Sequence, residues 1–401
     1  MFEEEWYEAG LAAMEHYYAP AKLKEGELAL LHAQFLGGAG EQQELLKLIT
    51  AAFVGQLSDR LKGVAYETLG NALLQARRVK QAEAGLQRAL EQYRKNQDLE
   101  GQARSLMHLG GCADPEQAIG FFQQALAAAE KAPNSQWLLG LIEFKIAQFY
   151  AAATDFENAA QRFDSSLQYL YPLGPTLTLA QVFLNSATLA FQTGNMAKAE
   201  ELAHEGLRIA VFKHGWAIQG ELLLLLSKMR EGNTMASFER LNEAIFVLSK
   251  VPNSPRYLQT LVDRAFIWDA NRQPTLAQQD AEQALEGARR LKNPELEGMA
   301  QLVLGKIYGR ESTQIPKALE QLKLAKKNFE SSQREEKLCD CELVLAEIEA
   351  QRGNSKEAKA HYEKALGLME NVLKQLAPGT QESRHLEMKK MHVESILQSL
   401  R

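Results

Sequence analysis

The chain has 401 residues, 46% of them hydrophobic and 24% charged, the balance of ordinary soluble globular material. Its net charge of -6 lies wholly within residues 1–60, which hold ten acids and four bases; the remainder is neutral and lacks the basic face that phosphate neutralisation requires. Three cysteines (Cys112, Cys339 and Cys341) are too few for a disulfide framework, no secretory pattern opens the chain, and the longest apolar run, Leu222 to Leu226, is too short for a bilayer, so a cytoplasmic protein that binds neither nucleic acid nor membrane is expected.

Residues 1–57 read as an opening helical segment. A helix is expected over Phe2 to Tyr18, with Trp6, Leu11, Met14 and Tyr18 near one side, and Pro20 disfavours its continuation. A second is expected over Lys24 to Leu36, a loop over Gly37-Gly38-Ala39-Gly40, and a third helix over Gln42 to Leu57. A degenerate repeat with a capping helix fits this content.

Gly63 to Arg94 is the clearest stretch. Tyr66, Leu69, Gly70 and Leu73 fall at i, i+3, i+4 and i+7, one apolar face at helical period. After Arg77-Arg78-Val79-Lys80, Ala82, Leu86, Ala89 and Leu90 form a matching face, so two helices and a reversal are expected. Aligned on the small residue of the first helix, the pattern recurs. Gly110 goes with Ala118, Phe122 and Ala125, where Asp114-Pro115 reads as helix cap and first residue; Ala147 goes with Ala159, Phe163 and Ser166, and Ala187 with Ala199, Ala203 and Gly206. Leu225 goes weakly with Ser237, Leu241 and Ala244. Ala265 goes with Ala277, Ala281 and Ala284; Gly305 with Ala318, Leu322 and Ala325; Ala346 with Ala358, Tyr362 and Ala365. The spacings of 40, 37, 40, 38, 40, 40 and 41 are nearly constant. The unit at 218–250 lacks the small residue, and Ser166 and Gly206 replace the usual Ala, which marks less regular packing or a kink. A hairpin of this kind cannot bury both faces alone and requires copies of itself as neighbours.

Ala377-Pro378-Gly379-Thr380 then breaks the chain, and Gln381 to Arg401 reads as a last helix with Leu386, Val393, Leu397 and Leu400 on one side. It serves as a C-terminal cap, or else as a partner-binding or dimerising helix.

The Leu-Gly pair followed by the Ala, large residue and Ala positions resembles the tetratricopeptide repeat. The unit of about 40 residues resembles its longer variant, found in cell-polarity adaptors, kinesin light chains and bacterial peptide sensors, rather than the common unit of about 34. The resemblance implies an all-α fold: a right-handed superhelical solenoid with about eight hairpins over 58–375, an N-terminal cap or degenerate repeat over 1–57 and a C-terminal capping helix over 376–401.

It also implies a concave inner face lined by first helices. By position that face takes Glu67 and Asn71, Arg104 and His108, Phe144 and Gln148, Gln181, Asn185 and Thr188, Gln219, Gln259, Asp263 and Phe266, Lys306, Asp340 and Glu347. Asn71, Gln148, Gln181, Asn185 and Gln259 offer amides to a peptide backbone, and Phe144 and Phe266 offer apolar pockets. Members that bind chaperone tails clamp a carboxylate with basic and Asn residues; Glu67 stands where the first clamp lysine is expected and Lys145 is the only matching base nearby, so that role is disfavoured.

No catalytic constellation is present. The glycine run at 37–40 lacks a phosphate-loop ending, the histidines form no zinc pattern, and Cys339 and Cys341 lie two apart on a helix, roughly 200° around it, so one buried and one exposed thiol are expected. No enzyme activity, cofactor or metal is expected. The partner is another protein or a peptide, and the chain is a monomer or a homodimer. Two functions remain open: a scaffold that holds a partner's peptide or helix in the groove, and a ligand-sensing regulator acting on an effector in trans, since residues 1–57 are too short and acidic for a helix-turn-helix reading head.

Overall fold

The recurring small residues meet large ones in the computed structural model, which describes residues 26–38, 42–49, 51–229, 234–376 and 381–399. Every regular element among these residues is helical, and none of the helices is long and apolar enough to cross a membrane. The expected helix over Phe2 to Tyr18, the loop residues Ala39 and Gly40, the break at Ala377 to Thr380, and Leu400 lie outside the described residues.

The helices gather into two compact units, the first ending at Arg240 and the second beginning at Leu241. The first contains α1 (Gly26–Gly38), α2 (Gln42–Leu48) and α3 (Ala51–Gln56), then the hairpins α4 (Asp59–Gln75) with α5 (Val79–Lys95), α6 (Leu99–Cys112) with α7 (Pro115–Lys131), α8 (Gln136–Ala152) with α9 (Phe156–Leu170), and α10 (Leu177–Gln192) with α11 (Met196–Phe212), and finally α12 (Trp216–Met229). The division falls within α13 (Thr234–Leu248). The second unit continues with α14 (Pro255–Ala270) and α15 (Pro274–Arg290), α16 (Pro294–Gly309) and α17 (Ile315–Ser331), α18 (Glu335–Gln351) and α19 (Ser355–Gln375), and α20 (Gln381–Ser399). Two expectations are corrected here. Gly37 and Gly38 continue α1 instead of opening a loop, and Gln42 to Leu57 forms two short helices in place of one.

Each hairpin closes through its small residue. A methyl carbon at Gly70 would lie 2.7 Å from Leu86 Cγ, at Gly110 2.7 Å from Phe122 Cε1, and at Gly305 2.7 Å from Leu322 Cγ. The large residue of each second helix fills the space that the missing side chain leaves. Ser166 is wholly buried yet satisfied, because its hydroxyl donates to the Gly140 carbonyl at 2.8 Å. Gly206 packs against Phe183, whose Cβ would be 2.9 Å from an added methyl. Neither departure loosens its unit.

The unit at 218–250 does have its small residue, two positions later than Leu225 and still within the 37–41 spacing of the other units. Ser227 is buried and donates to the Ser237 carbonyl at 2.7 Å. Methyls at Gly70 and Gly305 would sit 3.4 Å from the carbonyls of Ala82 and Ala318, the residues equivalent to Ser237. Ser227 is therefore the equivalent of Gly70, and α12 is read two residues later than an alignment on Leu225 gives.

First helices pack on their own second helix and on the hairpin before, so opposite faces are buried. This corrects the expectation for the thiols: Cys339 and Cys341 are both buried. Cys339 joins the cluster that takes Leu386 and Val393 from α20, and burial pushes its thiol up to about 12. Burial likewise raises the Cys341 thiol, on which Lys326 of α17 acts in the opposite direction. Second helices carry one apolar stripe and expose the rest. Asp114 precedes α7 and Pro115 begins it, but the Asp114 side chain makes no capping hydrogen bond.

Many of the turns reverse through one residue of positive φ, among them Arg77, Gln97, Thr154, His214, Arg272 and Gln333 as well as Gly194 and Gly353. The next amide then bonds five residues back, as from Asp155 to the Tyr150 carbonyl at 2.9 Å. Thr154, at φ 59°, is β-branched and exposed, a poor occupant of that conformation. Thr154→Gly should stabilise the chain by about 1 kcal/mol in chemical denaturation; an unchanged or lowered midpoint would mean that the turn is not strained. Gly305→Trp should cost about 1–3 kcal/mol or more and loosen α16, α17 and their neighbours in hydrogen exchange. Equal loosening over residues 63–94 would contradict nearest-neighbour stacking.

Candidate functional site: the inner face of the first helices

Consecutive first helices touch, α4 to α6, α6 to α8, α8 to α10 and α10 to α12 in the first unit, and α14 to α16 and α16 to α18 in the second. Residues six before, two before and one after each small residue therefore form rows across them. In the first unit the first row holds Arg104, Gln181 and, with Ser227 as reference, Glu221. The second holds His108, Lys145 and Asn185, and the third Asn71, Gln148 and Thr188.

At the α4–α6 end Glu67 and Arg104 are engaged within the protein. Tyr93 donates its hydroxyl to Glu67 Oε2 at 2.5 Å, and Arg104 Nε donates to Glu67 Oε1 at 3.0 Å and Nη1 to Glu100 at 2.7 Å. Burial works to lower the Arg104 guanidinium, but Glu67 outweighs it and holds the group above its ordinary value. Glu67 is itself buried. Glu67 is thus part of the packing between hairpins, a correction to its placement on the groove, while Arg104 pairs with it and stays part-exposed. His108 lies beside them; burial, with Lys145 and Arg104 nearby, holds its imidazole below the usual range against the opposing pull of Glu67. Asn71 is half-buried, with Oδ1 enclosed and without a hydrogen-bond partner among the described residues.

On α8, Lys145 Nζ donates to Gln148 Oε1 at 3.1 Å and stands 5.7 Å from the Phe144 ring centre; burial lowers its ammonium. Phe144 is no pocket wall. It is 4% exposed, in the core, with its ring 6.1 Å from that of Phe163. Lying three residues before Ala147, it shares that residue's face and points at the second helix.

Between α10 and α12 the face opens into a cavity of about 380 Å³ lined by Gln181, Leu184, Asn185, Thr188, Ala217, Ile218 and Glu221. Gln181 Nε2 donates to Asn185 Oδ1 at 3.2 Å, one helical turn on, so one amide donor and one acceptor are used and the others of the pair remain for a ligand. The Thr188 hydroxyl donates to the Leu184 carbonyl at 2.8 Å and keeps its own lone pairs. Gln219, placed on the inner face by sequence, is 4% exposed and donates to the Ala210 carbonyl at 3.0 Å, a second correction from the two-residue slip in α12. The same slip hid Glu221, Ile218 and Ala217. Ser227, small and correctly spaced, was the signal that finds them.

In the second unit Gln259 Nε2 donates to Asp263 Oδ1 at 2.8 Å, and Phe266 is half-buried. Lys306 Nζ is 3.6 Å from Asp269 Oδ2, which also accepts from Arg310 at 2.8 Å. Asp340 pairs with Lys389 of α20, while Glu347 is exposed.

Phe144→Ala should cost about 3–5 kcal/mol of stability. A loss below about 0.5 kcal/mol on chemical denaturation, the range of an open surface position, would return Phe144 to the groove.

No family model and no curated protein matches the sequence. Among solved structures, the chain is similar to a signal transduction ATPase with numerous domains that carries a tetratricopeptide repeat sensor, from Pyrococcus horikoshii. The identity is 14% and the TM-score 0.57 over 93% of this chain and 54% of that one, so this chain spans about half of that protein's length. Lower similarities are to a Rap protein complexed with competence and sporulation factor (11% identity, 85% and 100% of the two chains, TM-score 0.45) and to the apo form of the quorum sensor NprR from B. thuringiensis (16%, 91% and 93%, TM-score 0.43). The chain has a tetratricopeptide-like fold of stacked helical hairpins, as its small-residue period implies.

Proposed function

We propose that this chain is a non-enzymatic interaction protein that holds a peptide or helix of a partner protein on the inner face of its first unit, centred on the α10–α12 cavity. The observation that carries this reading is the Gln181–Asn185 pair facing an open cavity with apolar walls from Leu184 and Ile218. An extended backbone needs a donor and an acceptor at each step, and a pair of amides supplies both. His108, Lys145 and Gln148 extend the same face toward α6, so the groove has more length than one side chain requires. Gln259, Asp263 and Phe266 are the corresponding candidates in the second unit. Residues 1–57 and 376–401 close the two ends of the hairpin array in this reading, and the protein works in the cytoplasm.

The Pyrococcus neighbour, whose repeat is described as a sensor, motivates a second reading in which ligand binding is the signal and the effector is a separate chain. Both readings use the same cavity. They differ in whether the occupant is a stable partner or a transient ligand, which copurification from the native host separates.

Gln181→Ala with Asn185→Ala should leave the melting curve unchanged and weaken the copurified partner, or a peptide enriched from a random heptapeptide display library, by about 1–3 kcal/mol. Unchanged affinity in that titration would move the binding surface away from the α10–α12 cavity.

A further inference from the structure

We propose that the α10–α12 cavity is a subsite for a lysine or arginine side chain of the bound peptide. The inference rests on the peptide-binding reading above and specifies the ligand for its central cavity. Three of the seven lining residues (Leu184, Ala217 and Ile218) are apolar, three are neutral and polar, and Glu221 alone is charged. Leu184 and Ile218 are anchored in the core of the first unit, so the apolar wall is part of the packed structure and is present before any ligand arrives. An apolar wall ending in a single carboxylate matches a side chain with an apolar stem and a cationic tip, the form of both lysine and arginine. An acidic side chain would meet Glu221 with like charge, and an aliphatic one would bring it no hydrogen-bond donor.

Glu221 is well placed for this. It stands in the same row as Gln181, six residues before the small residue of its helix, and both side chains line the cavity. Glu221 already takes part in an interaction within the protein, but a carboxylate accepts several hydrogen bonds at once and can receive a further ammonium or guanidinium donor. With the cation held by Glu221, the ligand backbone lies over Gln181, Asn185 and Thr188. Lys145, on α8, stands two helices away, roughly 16–20 Å at ordinary helix spacing, so it does not compete for Glu221.

The test uses the full chain with methyl-labelled isoleucine and leucine, observing Ile218 and Leu184 by NMR. The probes are the Nα-acetyl N-methylamides of lysine, arginine, norleucine and glutamate. Lysine or arginine should move both signals saturably and bind about fivefold tighter than norleucine, a preference that shrinks at high salt. Comparison of the lysine and arginine probes identifies which cation fits. Glu221→Gln should bring the preference below about twofold while the Ile218 signal keeps its position in the free protein. If the variant does not fold, the salt dependence in the native chain carries the decision. Equal binding of norleucine, tighter binding of glutamate, or no movement of either methyl would overturn the cation subsite. None of these results touches the Gln181/Asn185 titration, so failure of the subsite and failure of the groove reading are distinguishable.

Discussion

The close approach of a small residue on each first helix to a large residue on its second governs this molecule. Where Gly70 meets Leu86, Gly110 meets Phe122 and Gly305 meets Leu322, no space remains for even one methyl group. That contact fixes how far apart the two helices run, and so how the hairpin presents its outer faces to the next. Within each unit, a first helix that follows another hairpin is then enclosed by its own second helix and by that preceding hairpin. Leu302, Val303 and Leu304 of α16 are buried in succession, as no one-sided helix allows. What remains to solvent on a first helix is a narrow stripe, and those stripes side by side make the inner face.

Beneath that stripe, buried carboxylates hold the stack together. Glu67 is buried between Tyr93 and Arg104, and Glu143 accepts from Arg162 at 3.1 Å. Asp280 takes both Nε and Nη2 of Arg264, at 2.7 and 2.8 Å. Taking carboxylates out of water costs more than the attraction returns unless hydrogen bonding is nearly complete, so these groups contribute register between helices more than net stability. Loss of one partner would strand the other. The α10–α12 region differs, because Gln181, Asn185 and Thr188 are neutral and half-buried. Their mutual bonds are local to α10, so a ligand can replace them without disturbing the stack.

Much of the fold was legible from spacing alone, since small residues recurring every 37 to 41 positions mark the point where two helices touch. The site was less so, for two physical reasons. Residues three or four before the small one share its face, which is why Phe144 and Glu67 point into the packing although the simple rule sets them in the groove. Pairs such as Glu67 with Arg104 lie far apart in sequence, and no local pattern reveals that one neutralises the other. The fifth unit adds a third lesson: a run of five leucines offered no small residue, so the alignment settled on Leu225. The serine two positions on, which does touch the second helix, went unread. With Ser227 in that place, Glu221 falls into line with Gln181 and the cavity acquires its one charge.

The central claim is that partners bind the inner face at α10 and α12. Its most direct test is site-specific photo-crosslinking in the native host, with a benzophenone side chain introduced at Thr188 in the cavity or at Arg208 on the exposed face of α11. The account predicts that Thr188 forms a crosslink to a discrete partner and Arg208 does not. A crosslink from Arg208 with none from Thr188 would contradict it and place the binding surface on the second helices.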